Sequence, residues 1–123
     1  MPTSSNDVAY EMDLEIYRGS TFDKTYTVKK NNEDWDLSGM TGRLVISTEL
    51  GDDGTDLLAL TTASGLAFGD GSMRIVITTA QSEALAKGKY YWDVLGKESG
   101  VVYPIGKGRA IVKERVTDPD DIS

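Results

Sequence analysis

The sequence predicts an all-β domain of seven or eight short strands, and three observations carry that expectation. Apolar and polar residues alternate in several short windows, turn-forming residues recur about every ten positions, and only one stretch has helical character. The chain has 123 residues, which suits one domain with one core. Its apolar and charged fractions, 39% and 27%, are those of an ordinary globular protein.

Residues 1–11 are polar apart from a few positions such as Val8 and Tyr10, and read as an N-terminal arm. The folded domain is expected over 12–117, with an acidic tail over 118–123. The first strand sets Met12, Leu14 and Ile16 on one face, opposite Asp13, Glu15 and Tyr17. After the Arg18-Gly19-Ser20 punctuation, Phe22, Lys24, Tyr26 and Val28 alternate with threonines, whose β-branched side chains suit a pleated surface. Residues 30–34 form a turn by composition, and residues 35–39 a bend anchored by Trp35 and Leu37. Residues 43–48 make the next strand, with Leu44 and Ile46 on one face and Val45 on the other. A Gly- and Asp-rich loop over 49–56 leads to a strand at 57–62, then to a Gly-rich connection over 64–71 anchored by Leu66 and Phe68. Met73, Ile75 and Ile77 alternate in the strand that follows.

One short helix is expected over 80–87. Thr78 and Gln81 have the spacing of a capping box, and Gly88 suits the position just past the helix end. Residues 89–95 return to strand, with Tyr90, Trp92 and Val94 opposite Tyr91, Asp93 and Leu95. Residues 96–100 read as a hairpin turn. Residues 101–116 read as a strand pair or one long strand broken near Pro104, which cannot donate to a ladder and so marks an edge or a bulge. Short strands at this spacing indicate a sandwich or a small barrel.

Composition also narrows the chemistry. The chain has no cysteine, so disulfides, thiolate nucleophiles and zinc–thiolate sites are excluded. It has no histidine, the commonest general base and metal ligand. A non-enzymatic protein without a cofactor is therefore expected. A formal net charge of −7 disfavours nucleic acid as a partner, although Lys107, Arg109, Lys113 and Arg115 form a basic strip that also reads as one solvated strand edge. No apolar run approaches the ~20 residues that span a bilayer, and residues 1–5 lack the basic start and apolar stretch of a secretory signal.

Asp52, Asp53 and Asp56, around Gly54, are the candidates for a calcium site, with Glu49 or Asp70 assisting. The EF-hand spacing is not met, and the competing reading is a polar loop tip. Nothing places two acids for glycoside hydrolysis. An aromatic platform built from Tyr91 and Tyr103 would suit a sugar. Better candidates are strand edges and exposed faces, which are templates for partner chains. Tyr91, Tyr103, Pro104, Lys107 and Arg109 are the expected interaction residues.

In order, the segments Arg18-Gly19-Ser20-Thr21-Phe22, Trp35-Asp36-Leu37-Ser38-Gly39, Gly88-Lys89-Tyr90-Tyr91-Trp92-Asp93-Val94 and Gly106-Lys107-Gly108-Arg109-Ala110-Ile111-Val112 resemble small β-sandwich proteins of tailed bacteriophages and prophages. The pattern is similar to the N-terminal immunoglobulin-like domain of baseplate upper proteins, from about residue 12 to 117. Ser20 stands where many such sequences carry Asp. The resemblance implies an immunoglobulin-like sandwich of antiparallel strands and a structural part of the virion, in the tail, neck or baseplate. Its partners would be other virion proteins, in a homo-oligomeric or symmetric arrangement. A capsid decoration protein and a carbohydrate-binding host-recognition domain are the alternatives.

Overall fold

Two sheets of unequal width share one apolar core in the computed structural model, which describes residues 10–49 and 54–115. The strands are β1 (Tyr10–Glu11), β2 (Leu14–Tyr17), β3 (Phe22–Thr27), β4 (Lys29–Lys30), β5 (Glu33–Asp34), β6 (Thr41–Ser47), β7 (Asp56–Thr61), β8 (Leu66–Gly69), β9 (Ser72–Ile77), β10 (Gly88–Glu98) and β11 (Val101–Lys113). One helix, α1 (Thr79–Glu83), interrupts them. The larger sheet has the order β1-β11-β10-β6-β7, with β2 also on β11. The smaller runs β3-β9-β8, and β4 and β5 form a separate hairpin. The all-β expectation holds.

Alternation explains which residues go inside. In β10, Trp92 and Val94 are buried while Tyr91, Asp93 and Leu95 face out. In β6, Leu44 and Ile46 are buried, and in β9 so are Met73, Ile75 and Ile77. With Leu14, Ile16, Phe22, Leu60 and Val112 these fill the space between the sheets. Burying a side chain of this kind stabilises by about 1.5–3 kcal/mol.

Several expectations need correction. Not every strand is antiparallel: β1 and β2 both run parallel to β11, pairing Tyr10 with Gly106 and Leu14 with Ala110. The end of the segment read as an arm is therefore part of the sheet. Residues 66–69, read as a connection, form β8 and pair antiparallel with β9. Gly65, Gly69 and Gly71 dilute the strand signal there, but Leu66 points into the core. The helix ends at Glu83, and Gly88 opens β10 instead of closing α1.

The capping box forms as its spacing predicts. The Thr78 side chain accepts from the Gln81 N–H at 3.2 Å, and the Thr78 N–H donates to the Gln81 side chain at 2.9 Å. One turn later the buried Ser82 hydroxyl accepts from the Gly19 N–H at 3.0 Å and donates to the Ser20 carbonyl at 2.7 Å. Beside it Arg18 pairs with Glu83 and Glu114, and Arg115 with Glu83, so α1, the β2–β3 turn and the exit of β11 are tied at one corner.

The turns are tight for local reasons. Asn31 and Asn32 have φ of 56° and 66°, and Ser99 and Gly100 have 53° and 82°, the two positive values of a type I′ hairpin loop. The second turn is shorter than read, because Gly96 lies inside β10. There a Cβ would approach Ile105 Cδ1 to 2.6 Å, so the absent side chain makes room for the core. The 35–39 bend is held by Asp36, whose carboxylate accepts from the Ser38 N–H at 2.9 Å and from its hydroxyl. That lowers the Asp36 carboxyl from its usual range, the hydroxyl contributing most.

Candidate interaction surface

The outer face of the larger sheet can be laid out in rows, because directly paired residues share a face. One row runs Arg109, Tyr91, Ser47, Asp56 across β11, β10, β6 and β7. The next runs Lys107, Asp93, Val45, Ala59, with Glu11 beyond Lys107 on β1. A third runs Pro104, Leu95, Arg43, Thr61. Lys97 and Val102 extend this face toward the hairpin tip. Tyr91, Leu95 and Val102 are 37%, 42% and 54% exposed, large values for apolar side chains on one face.

A bulge decides what lies on this face. Val94 pairs with Gly106 and Leu95 with Pro104, so Ile105 is an extra residue in β11. In a regular strand Tyr103 and Ile105 would point outward with Lys107 and Arg109. The extra residue reverses the alternation, and Ile105 is fully buried. Tyr103 turns to the other side, where its ring meets Trp35 edge-on with centroids 5.9 Å apart. The Lys30 ammonium lies 4.7 Å from the Trp35 centroid and 5.4 Å from that of Tyr103. Pro104 therefore sits at a bulge, on a stretch of β11 whose other side has no described strand.

Of the five expected interaction residues, the structure brings Tyr91, Pro104, Lys107 and Arg109 to one face and sets Tyr103 apart. Tyr91 and Tyr103 do not form a joint aromatic platform. Leu95, Val102, Asp93 and Asp56 also belong to the outer face but were not among the expected residues. The alternation that put Tyr91, Asp93 and Leu95 together was the signal for two of them. Asp56 needed the β6–β7 register, which no local pattern reveals.

The electrostatics of the face are uneven. A depression of about 180 Å³ is lined by Val45, Ser47, Glu49, Asp56, Tyr91, Trp92 and Asp93. Burial, and secondarily the Asp56 carboxylate, push the Asp93 carboxyl up from its usual range. On the same face, toward the β2 edge, Lys113 bonds Glu15 at 3.1 Å and lies 5.7 Å from the Tyr17 ring centroid. Of the calcium candidates, Asp52 and Asp53 lie outside the described residues, Asp56 opens β7, and Asp70 sits in the β8–β9 turn of the other sheet. Among the described residues no group of three or more acidic side chains is placed to hold a metal ion. Nor is any described helix long and apolar enough to cross a membrane.

The close approach of β1 and β2 depends on Gly108. A Cβ there would run into the Met12 carbonyl oxygen, which instead accepts from Trp92 Nε1 at 3.1 Å. The Met12 N–H donates to the Lys107 carbonyl at 3.1 Å, and the Arg109 N–H to the Asp13 carboxylate at 3.3 Å. The next stretch of β11, from Val101 to Ile105, has β10 on one side and no described strand on the other.

No family model matches the chain, and no curated protein does. Among solved structures it is similar to an uncharacterized protein from Bacillus anthracis str. Ames, with 18% identity and a TM-score of 0.38 over 86% of each chain, a likeness that lends no functional reading.

Proposed function

We propose that this chain is a non-catalytic, protein-binding domain built on an immunoglobulin-like plan, and that it serves as a structural part of a tailed-phage particle. The single observation that carries the binding role is the outer face of the larger sheet. Tyr91, Leu95 and Val102 stand exposed there among charges of both signs, with the half-buried Pro104 beside Leu95. Apolar side chains gathered on one face gain free energy when a partner removes them from water.

Two features support the immunoglobulin-like plan. The strand orders β3-β9-β8 and β11-β10-β6-β7 correspond to the B-E-D and G-F-C-C′ orders of that fold. Tyr90, near the start of β10, donates from its hydroxyl to the Ala86 carbonyl at 2.9 Å, as the tyrosine corner of such domains does. Two residues further on, where an antibody domain has its second cysteine, Trp92 fills the core instead.

Placement in a phage particle rests on the motif resemblance, whose glycines and bends now have structural reasons. Gly108 admits the Met12 carbonyl, and Asp36 holds the Asp-Leu-Ser-Gly bend. The test is immunogold labelling of particles purified from the host that encodes the chain. Label at the tail, neck or baseplate is expected. Purified particles that lack the chain contradict the placement.

A further inference from the structure

The row Arg109, Tyr91, Ser47, Asp56 has opposite charges at its two ends. These ends lie equally far from the midline between β10 and β6, about 7 Å to either side at ~4.8 Å per strand. A two-fold axis along that midline, just in front of the face, exchanges the ends. We propose that the occupant of this face is a second copy of the chain, docked face to face so that Arg109 of each copy meets Asp56 of the other. The inference rests on the reading of the outer face as a docking surface.

Three observations favour a second copy over a different protein. The charges are self-complementary: a basic partner would satisfy Asp56 but leave Arg109 unmatched, and an acidic one would do the reverse. Among the described residues neither the Arg109 guanidinium nor the Asp56 carboxylate has an ion-pair partner in its own chain. The same axis sets Leu95 of one copy over Arg43 of the other and Tyr91 over the Ser47 position, where Ser47 is itself buried beneath Gly54, so the exposed apolar side chains meet the partner's inner strands and their connection. Face-to-face sheets align within about 30°, so such rows stay in register near the axis. An interface of this kind is isologous and closed, and makes a dimer.

At a formal charge of −7 each, two copies repel at long range. At physiological salt that repulsion is screened beyond about 8 Å, and the local pairs decide the outcome. The experiment is sedimentation equilibrium on the full chain. The wild type is expected to be a dimer. Arg109→Glu alone and Asp56→Arg alone should each raise the dissociation constant about tenfold or more. Mixing the two variants should restore a heterodimer, since both of its contacts again join opposite charges. Circular dichroism and melting show that each variant is folded. A monomeric wild type, single variants that dimerise unchanged, or folded variants that fail to pair on mixing would each overturn the proposal. If the wild type is monomeric while Leu95→Arg still expels the chain from its particle, only the identity of the occupant is wrong. If Leu95→Arg has no effect either, the docking surface itself is wrong.

Discussion

Gly108 and Ser82 each hold two parts of the chain together, and neither has a side chain that draws attention. Replacing Gly108 with alanine forces the Met12 carbonyl away from β11 and breaks its bond to Trp92. A loss of about 3 kcal/mol is expected from such overpacking, read as a drop in the midpoint of urea unfolding. Ser82→Ala removes a hydroxyl that serves the Gly19 N–H and the Ser20 carbonyl. Leaving those buried groups unpaired costs about 1–3 kcal/mol, whereas Ser82→Thr keeps the hydroxyl. If Ser82→Ala melts like the wild type, the corner is not held by that hydroxyl.

Asp93 gives a prediction with a definite sign. Its carboxyl is raised in the folded chain, so the folded state holds the proton more tightly than the unfolded state does. Stability contributed by this group is therefore present at low pH and is lost as pH rises through the raised value. Asp93→Asn should melt higher than wild type at neutral pH, and the gain should vanish below the ordinary carboxylate range. Lower stability of the variant at neutral pH would mean that Lys107, its neighbour in the row, outweighs burial.

At the scale of elements, the helix and the bulge show what the sequence could and could not reveal. The capping box was legible because Thr78 and Gln81 are local, and Thr78→Ala should cost about 1 kcal/mol in thermal melts. The helix end was not. Ala84 to Lys87 favour helix, but Tyr90 reaches back to the Ala86 carbonyl and starts β10 early. Likewise Pro104 announced a bulge or an edge, yet the side on which Tyr103 lands depends on one unpaired residue. Such a one-residue shift moves every later side chain to the opposite face. Tyr91, Lys107 and Arg109 were legible as outward from type and alternation, whereas Pro104 faces out only because of the bulge. Their acidic counterpart, Asp56, was not legible, because it arrives by register from β7.

For the whole molecule, alternation alone gave most of the core, and the division into two sheets follows from it. The parallel pairing of β1 and β2 with β11 was hidden, since it joins residues 96 positions apart, a separation the Arg18–Glu114 and Asp13–Arg109 contacts share. That pairing brings both ends of the domain to one side of the larger sheet, and β11, β10, β6 and β7 present the outer face. That face is the proposed working surface of the protein.

The most direct measurement is the occupancy of Leu95→Arg in purified particles, relative to wild type, with melting as the control for folding. Leu95 is 42% exposed, so the substitution should leave the melting temperature nearly unchanged. Occupancy is expected to fall about tenfold or more, because an unpaired charge is then buried in the contact. A folded Leu95→Arg chain that enters particles at the wild-type level would contradict the account.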